Sequence, residues 1–380
     1  VTRGAPWLAA ALLGACGARS ELLDRPSGGA GLDASAGDAR PAGDLAAADR
    51  ALVRPDVNLR RCDGGALPRA GAPSRVTVPS RVGAAVVLDP VRRELLVIGG
   101  LEESGRWARE ALRVGLDDRS VTQLTMQGDA VLSPLGALVV WDAENARAVL
   151  IGGGVQRASN DRAAQVFSAQ RDGGVLRVRR LPDHPAGPII GVAGAYDAAG
   201  RRAIVTGGES MDPRARATFA LSLEPGRERW QELAAPAQSP PRRFSAVMAY
   251  DPARDRFVLA GGYTAAGTDR TVWVLERTAR WAQVPGALDA VPSANALLWD
   301  ASACGFWVPA SRCTRELWFL RVEDEVDMQP AGQLVFPSPT PSFPEGVFDP
   351  VRREVLLYGG DNCSTSGFFR DALDVVALSD

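Results

Sequence analysis

A twelve-residue pattern recurs along this chain and restricts its fold more than any other feature. DPVRRELLVIGG at 89–100 returns almost letter for letter as DPVRREVLLYGG at 349–360. Between them stand DAENARAVLIGG (142–153), DAAGRRAIVTGG (197–208) and DPARDRFVLAGG (251–262), each with Gly-Gly ten residues after an Asp. A weaker copy, DASACGFWVPAS (300–311), has Ala310-Ser311 where the glycines belong. The aspartates at 89, 142, 197, 251, 300 and 349 are 53, 55, 54, 49 and 49 residues apart. A period near 50 with one supersecondary unit per copy specifies a repeat fold.

Each copy reads as four short strands. In the first, Gly83–Leu88 is small and β-prone and ends at the Asp; Glu94–Ile98 is apolar and ends at the glycines. A polar loop leads to Ala111–Leu116, and Val121–Met126 follows. Four antiparallel strands per repeat describe a propeller blade. First strands carry small residues (Gly136-Ala137, Ala193-Gly194-Ala195, Ser245-Ala246, Ala294), as crowding around an axis requires. The residue before each Asp is large: Leu88, Trp141, Tyr196, Tyr250, Trp299 and Phe348 are expected to fill the space between blades. Each Asp suits the turn into the second strand, where its carboxylate accepts backbone N–H bonds. Gly-Gly suits a backbone that must turn with unusual dihedrals. Fourth strands include Arg229–Leu233 and Arg280–Val284, each with a Trp.

A small-residue strand, Asp, apolar strand, Gly-Gly, third strand and Trp-bearing fourth strand in tandem resembles the kelch repeat over roughly 73–380. The resemblance implies an all-β, six-bladed kelch-like β-propeller with four antiparallel strands per blade. The last copy has strands near 343–348, 354–358 and 372–378 and no fourth. The unassigned strand at 75–79 is therefore expected to complete the last blade.

The N-terminus reads as a processing signal. Arg3 precedes an eleven-residue apolar run, Ala5–Ala15, too short for a permanent membrane span. It ends in Leu13-Gly14-Ala15-Cys16, which resembles the bacterial lipobox and implies a signal peptide at 1–15 with Cys16 lipidated. Gly17 after the cysteine, in place of Asp, implies sorting away from the inner membrane, so an outer-membrane lipoprotein is expected. Residues 16–72 are rich in Ala, Gly, Asp, Arg and Pro and read as a disordered tether, with weak support for a helix around 45–53. Four further cysteines allow several pairings: Cys313 with Cys363, both just after a second strand, and Cys304 with Cys62 at the opposite end. Free thiols remain an alternative, and the absence of CxxC and of nearby histidine argues against metal.

Composition removes several activities. All 43 basic residues are arginine, against 45 acidic ones, for a net charge of −2, so nothing suggests a nucleic-acid partner. Without lysine a Walker site is excluded. The copper site of galactose-oxidase-type kelch enzymes needs two histidines; this chain has one, His184. In LPDHPAGP it reads as an exposed loop histidine, and no G-x-S-x-G elbow accompanies it. The repeated aspartates, spread around a ring, are too far apart for paired acid–base work. No catalytic residue, metal or cofactor is expected.

What remains are the loops after Gly-Gly, which vary from copy to copy and should share one face. Trp107, Tyr263, Arg312, Asn362 and Phe368, with Arg243 and Phe343 near the pore, are the candidate binding residues, since aromatic and arginine anchors dominate interfaces. The expected function is an envelope-anchored, protein- or glycan-binding scaffold, with a membrane contact through the lipid anchor. The alternative is a carbohydrate-active hydrolase or lyase at the pore mouth, which would show as carboxylates and arginine converging there. A purely structural envelope component is a third reading.

Overall fold

A computed structural model describes residues 67–129, 134–154, 163–233, 240–290, 296–309, 316–334, 341–342, 344–362 and 371–379. The expected signal peptide, the helix near 45–53 and Cys16, Cys62, Cys313 and Cys363 lie outside the described residues, as do Arg312, Phe343 and Phe368. No helix among the described residues is long and apolar enough to cross a membrane.

The strands follow the repeat. β1 (Arg69–Ala70) and β2 (Ser74–Val76) precede the first copy. Copy one forms β3 (Ala85–Asp89), β4 (Glu94–Ile98), β5 (Glu110–Gly115) and β6 (Val121–Gly128). Copy two forms β7 (Leu138–Asp142), β8 (Arg147–Ile151), β9 (Val166–Asp172) and β10 (Val175–Leu181). Copy three forms β11 (Ala193–Asp197), β12 (Arg202–Thr206), β13 (Thr218–Ser222) and β14 (Trp230–Glu232). Copy four forms β15 (Val247–Asp251), β16 (Arg256–Ala260), a hairpin of β17 (Tyr263–Thr264) and β18 (Gly267–Thr268), then β19 (Val272–Glu276) and β20 (Trp281–Val284). Copy five forms β21 (Leu298–Asp300), β22 (Gly305–Pro309), β23 (Glu316–Val322) and β24 (Val326–Gln333). Copy six has β25 (Pro341–Ser342), β26 (Glu345–Asp349), β27 (Glu354–Tyr358), β28 (Asp361–Asn362) and β29 (Leu373–Ser379). The result is an all-β, propeller-like ring of small antiparallel sheets. The first strands touch in order, β3 to β7, β11, β15, β21 and β26, and β26 returns to β3.

The N-terminal strand closes the ring. Ser74, Arg75 and Val76 pair antiparallel with Val375, Asp374 and Leu373. The strand is shorter than the expected 75–79, but Val78 is fully buried in the cluster with Tyr358 and Leu373. Arg75 Nε donates to the buried Asp374 carboxylate at 2.9 Å, and the Tyr358 hydroxyl donates to the Pro79 carbonyl at 2.5 Å. Strand structure begins ahead of the boundary expected at 73: Arg69 and Ala70 pair with Ser379 and Leu378.

The core lies between copies. Among the described residues six apolar clusters each join two neighbours, and each takes in one of the large pre-Asp residues: Trp141, Tyr196, Tyr250, Trp299, Phe348 or Leu88. Burying both faces of every sheet this way explains the near-continuous apolar second strands. One pairing was not foreseen. β6 and β10, the outer strands of copies one and two, join in parallel, merging both copies into an eight-stranded sheet. Gly128 (φ 101°) permits it, because a Cβ there would sit 2.2 Å from the Val178 carbonyl oxygen. The seam satisfies two edges that would otherwise present open backbone groups.

The six aspartates act as expected. All are fully or almost fully buried. Each accepts a backbone N–H from its own turn, from Val91, Asn145, Gly200, Ala253, Ser302 and Val351 at 2.9–3.4 Å. The residue four after each Asp has φ between 47° and 54°, a left-handed position held by Arg93, Ala146, Arg201, Asp255, Cys304 and Arg353. Charge decides the rest. In copies two to four an arginine begins the second strand and grips its own Asp, as Arg147 does Asp142 at 2.8 Å and Arg202 does Asp197 at 2.9 Å. In copies one and six a glutamate stands there and takes arginines from next door: Glu94 from Arg171 at 2.6 Å, Glu354 from Arg119 at 2.6 Å. Arg93 of copy one then serves Asp349 of copy six at 2.9 Å.

Candidate functional site

The second strands end, away from the Asp turns, at Gly-Gly. Both glycines of each described pair have φ between 60° and 102°. Past them the chain pairs with the segment entering the first strand: Leu101 with Val82, Glu209 with Ile190 and Tyr263 with Phe244, at 2.8–3.2 Å. This end carries the variable loops.

Arg81 and Arg243 hold equivalent places, each two residues before a left-handed residue, Gly83 or Ser245. Arg243 was expected at a binding surface, yet it is 2% exposed. Its guanidinium donates to the carbonyls of Gly261 (3.0 Å) and Pro241 (3.2 Å) and pairs with Asp269 at 3.3 Å. Burial lowers its pKa against the pull of Asp269. An arginine so enclosed is a fastener of the loop base. Trp107 is half-buried and bridges Leu101. Tyr263 is half-buried and stacks on Phe244, centroids 5.4 Å apart. Asn362 pairs through its backbone with Pro341.

Copy one adds a charged group that sequence reasoning missed. Arg106 Nη2 bonds Glu102 Oε1 at 2.7 Å and Glu110 Oε1 at 2.8 Å. Buried Arg81 reaches the same Glu110 oxygen at 3.1 Å and donates to the Glu110 carbonyl at 2.7 Å. The signal was present in the spacing E-x-x-x-R-x-x-x-E of 102–110. Two carboxylates meeting at arginines is the pattern a carbohydrate-active site would need. A glycoside hydrolase also needs one carboxyl kept protonated by a raised pKa. Burial would raise Glu110, but the hydrogen bond from Arg106 and the charge of Arg81 outweigh it and hold the carboxyl below its usual range.

His184 corrects another expectation. It is 4% exposed, not on the surface. Its ring packs edge-on against Phe219 (5.2 Å) and Trp230 (4.9 Å). Nδ1 accepts the Ala186 N–H at 3.2 Å, so the proton of the neutral ring sits on Nε2, which has no hydrogen-bond partner among the described residues. Burial, aided by the nearby Arg214 charge, lowers its pKa to about 4. The neighbouring Ser210 hydroxyl donates to the Ala186 carbonyl at 3.0 Å, and Asp212 is held by Arg214 at 2.7 Å. With Nδ1 taken by backbone, His184 cannot be oriented by a carboxylate as a triad requires.

Among the described residues no group of three or more His, Cys, Asp or Glu is arranged to hold a metal. Cys304 lies in the copy-five Asp turn, its Sγ 3.8 Å from the Ala301 carbonyl oxygen. Compared with protein-family models and with characterised proteins, the chain matches none.

Proposed function

We propose that this chain is a six-bladed kelch-like propeller that binds a protein or glycan partner through the loops at its Gly-Gly end. The observation that carries the reading is the contrast between the two ends. The Asp turns are consumed by their own hydrogen bonds and ion pairs, whereas the Gly-Gly loops differ in every copy and offer the half-exposed rings of Trp107 and Tyr263. The closed circuit of six first strands supports the blade count, with the eight-stranded sheet counted as two blades joined at their outer edges. Export and anchoring through Cys16 to the outer membrane belong to the same proposal, as do disulfides. Leu67 and Ala70 pack in the same cluster as Ala303, so Cys62, five residues before Leu67, is the proposed partner of Cys304, and Cys313–Cys363 the second bridge. The test is a glycan array and envelope cross-linking with the full chain, repeated with Trp107→Ala and Tyr263→Ala. Loss of the partner in at least one variant, with an unchanged unfolding midpoint, is expected. A partner held undiminished by both variants, or no reproducible partner at all, rejects the reading.

The convergence of Glu102, Arg106 and Glu110 supports one part of a second reading, a hydrolase or lyase acting on sugars, while the lowered pKa of Glu110 counts against the hydrolase. Turnover on a polysaccharide panel that vanishes in Glu110→Gln would establish it; a panel with no turnover would reject it.

A further inference from the structure

The two ends also differ in where the chain enters. Arg69 and Ala70 pair with the last residues of β29, and the Leu378 amide donates at 3.0 Å to the Arg353 carbonyl in the copy-six Asp turn. The described chain, from Leu67, therefore enters the ring at the Asp-turn end, between copies five and six. Cys304, in the Asp turn of copy five, lies at that same end.

Among the described residues, three large apolar side chains stand out into solvent: Met211 (89% exposed), Val91 (79%) and Val351 (70%). The two valines hold the same position, two residues after the aspartate, in copies one and six. The other copies carry Glu144, Ala199, Ala253 and Ser302 there. Copies one and six are neighbours across the closure, since β26 touches β3 and Arg93 bridges to Asp349. Both exposed valines thus flank the junction of copies six and one, at the same end as the N-terminal chain, which arrives one junction away with Leu67 and Ala70 packed between copies five and six. Arg92 and Arg352 follow them, 40% and 38% exposed.

We propose that this sector of the Asp-turn end rests on the lipid surface to which the chain is anchored, with Val91 and Val351 among the headgroups and the Gly-Gly loops facing away. The proposal rests on the anchoring through Cys16 argued above. Two valines bind a bilayer weakly on their own. The tether from Cys16 to Leu67 makes the contact intramolecular, which favours a contact too weak to hold a free chain, although its effective concentration falls below that of a short linker as length grows. The stems of Arg92 and Arg352 can lie along the apolar layer with their heads in water. Both heads are already paired, Arg92 with Asp89 at 2.8 Å and Arg352 with Asp117 at 3.3 Å, so the contact does not require anionic lipid.

The test is hydroxyl-radical footprinting, read by mass spectrometry, of the full chain anchored in phosphatidylcholine vesicles and of the full-length Cys16→Ala chain in solution. Oxidation of the 89–93 and 349–353 turns should fall several-fold on vesicles while Met211 is oxidised equally in both. The Val91→Glu/Val351→Glu variant, which touches no core position, should lose the protection. Equal oxidation of the turns on and off vesicles overturns the proposal, as does equal protection in solution through self-association. Intact mass of the membrane-extracted chain reads lipidation separately. If Cys16 carries no diacylglyceryl group, the anchoring reading fails by itself, and flotation of the unlipidated chain with vesicles decides the docking face. Flotation lost in the double variant retains it, and no flotation overturns it.

Discussion

At the Asp-turn end, six copies present the same buried carboxylate, each taking a backbone N–H from its own turn; at the Gly-Gly end, no two described copies place the same side chain after their glycines. Both ends belong to the same second strands, so the difference is one of use. A repeat protein needs each copy to meet its neighbours alike, which selects one turn chemistry six times. Nothing comparable holds a loop pointing away from the ring. The end where the sequence repeats is therefore the less informative about function.

The largest test of this contrast is at a repeated carboxylate. Asp349 is 1% exposed, takes the Val351 N–H at 2.9 Å and both Nη groups of Arg93 at 2.9 and 3.1 Å. Burial would raise its pKa, but the Arg93 hydrogen bonds and the backbone bonds of the turn hold it below the usual range. Asp349→Ala leaves Arg93 with Asp117 alone, at 3.0 Å, and strips the copy-six turn of its buried acceptor. Each buried donor left unsatisfied costs about 1–3 kcal/mol, to be read as a lower urea midpoint with unchanged slope. A loss much smaller than this would show that closure rests on β2 and the apolar clusters alone.

The Asp turns, the glycines and the closing strand were legible because their chemistry is local: an Asp that caps its own turn, a Gly-Gly that needs positive φ, a last copy short of one strand. The arginine exchange was not. Whether Glu94 or Arg147 begins a second strand is plain in the sequence, but that Arg171 of copy two serves Glu94 depends on how neighbouring sheets splay. The β6–β10 seam was hidden for the same reason, since outer strands of adjacent copies carry no mutual signal. Arg243 and His184 misled in a different way. Polar side chains in loops read as exposed, whereas here a guanidinium meets two backbone carbonyls and an imidazole meets an amide and two aromatic rings.

His184 qualifies the contrast, because it is a fold element on a segment between copies two and three. Its folded pKa of about 4 lies below the ordinary 6.5 of an exposed histidine. Between those values the unfolded chain binds a proton that the folded chain excludes, so stability falls as pH drops. The contribution is whole above about pH 7 and is lost as the pH falls towards 4, by about 3 kcal/mol at most. The stability difference between wild type and His184→Gln, whose amide oxygen can still accept the Ala186 N–H, should shift by that amount between pH 7 and pH 4. A constant difference would mean that the ring is hydrated in solution and that this segment is as open as the loops around it.

The smallest effect is expected where the Gly-Gly end carries its own ion pairs. Arg106 bonds Glu102 and Glu110, but its side chain is 54% exposed and water competes for every one of those bonds. Arg106→Gln should leave the unfolding midpoint unchanged within error, in contrast to Asp349→Ala. Glu110 would keep its bonds from buried Arg81, so the base of the loop stays fastened while its rim loses a charge. If partner binding changes in this variant while the midpoint does not, the rim serves recognition. If the midpoint drops as it does for the buried carboxylate, the copy-one loop is held by its charges, and the search for a binding surface narrows to the rings of Trp107 and Tyr263.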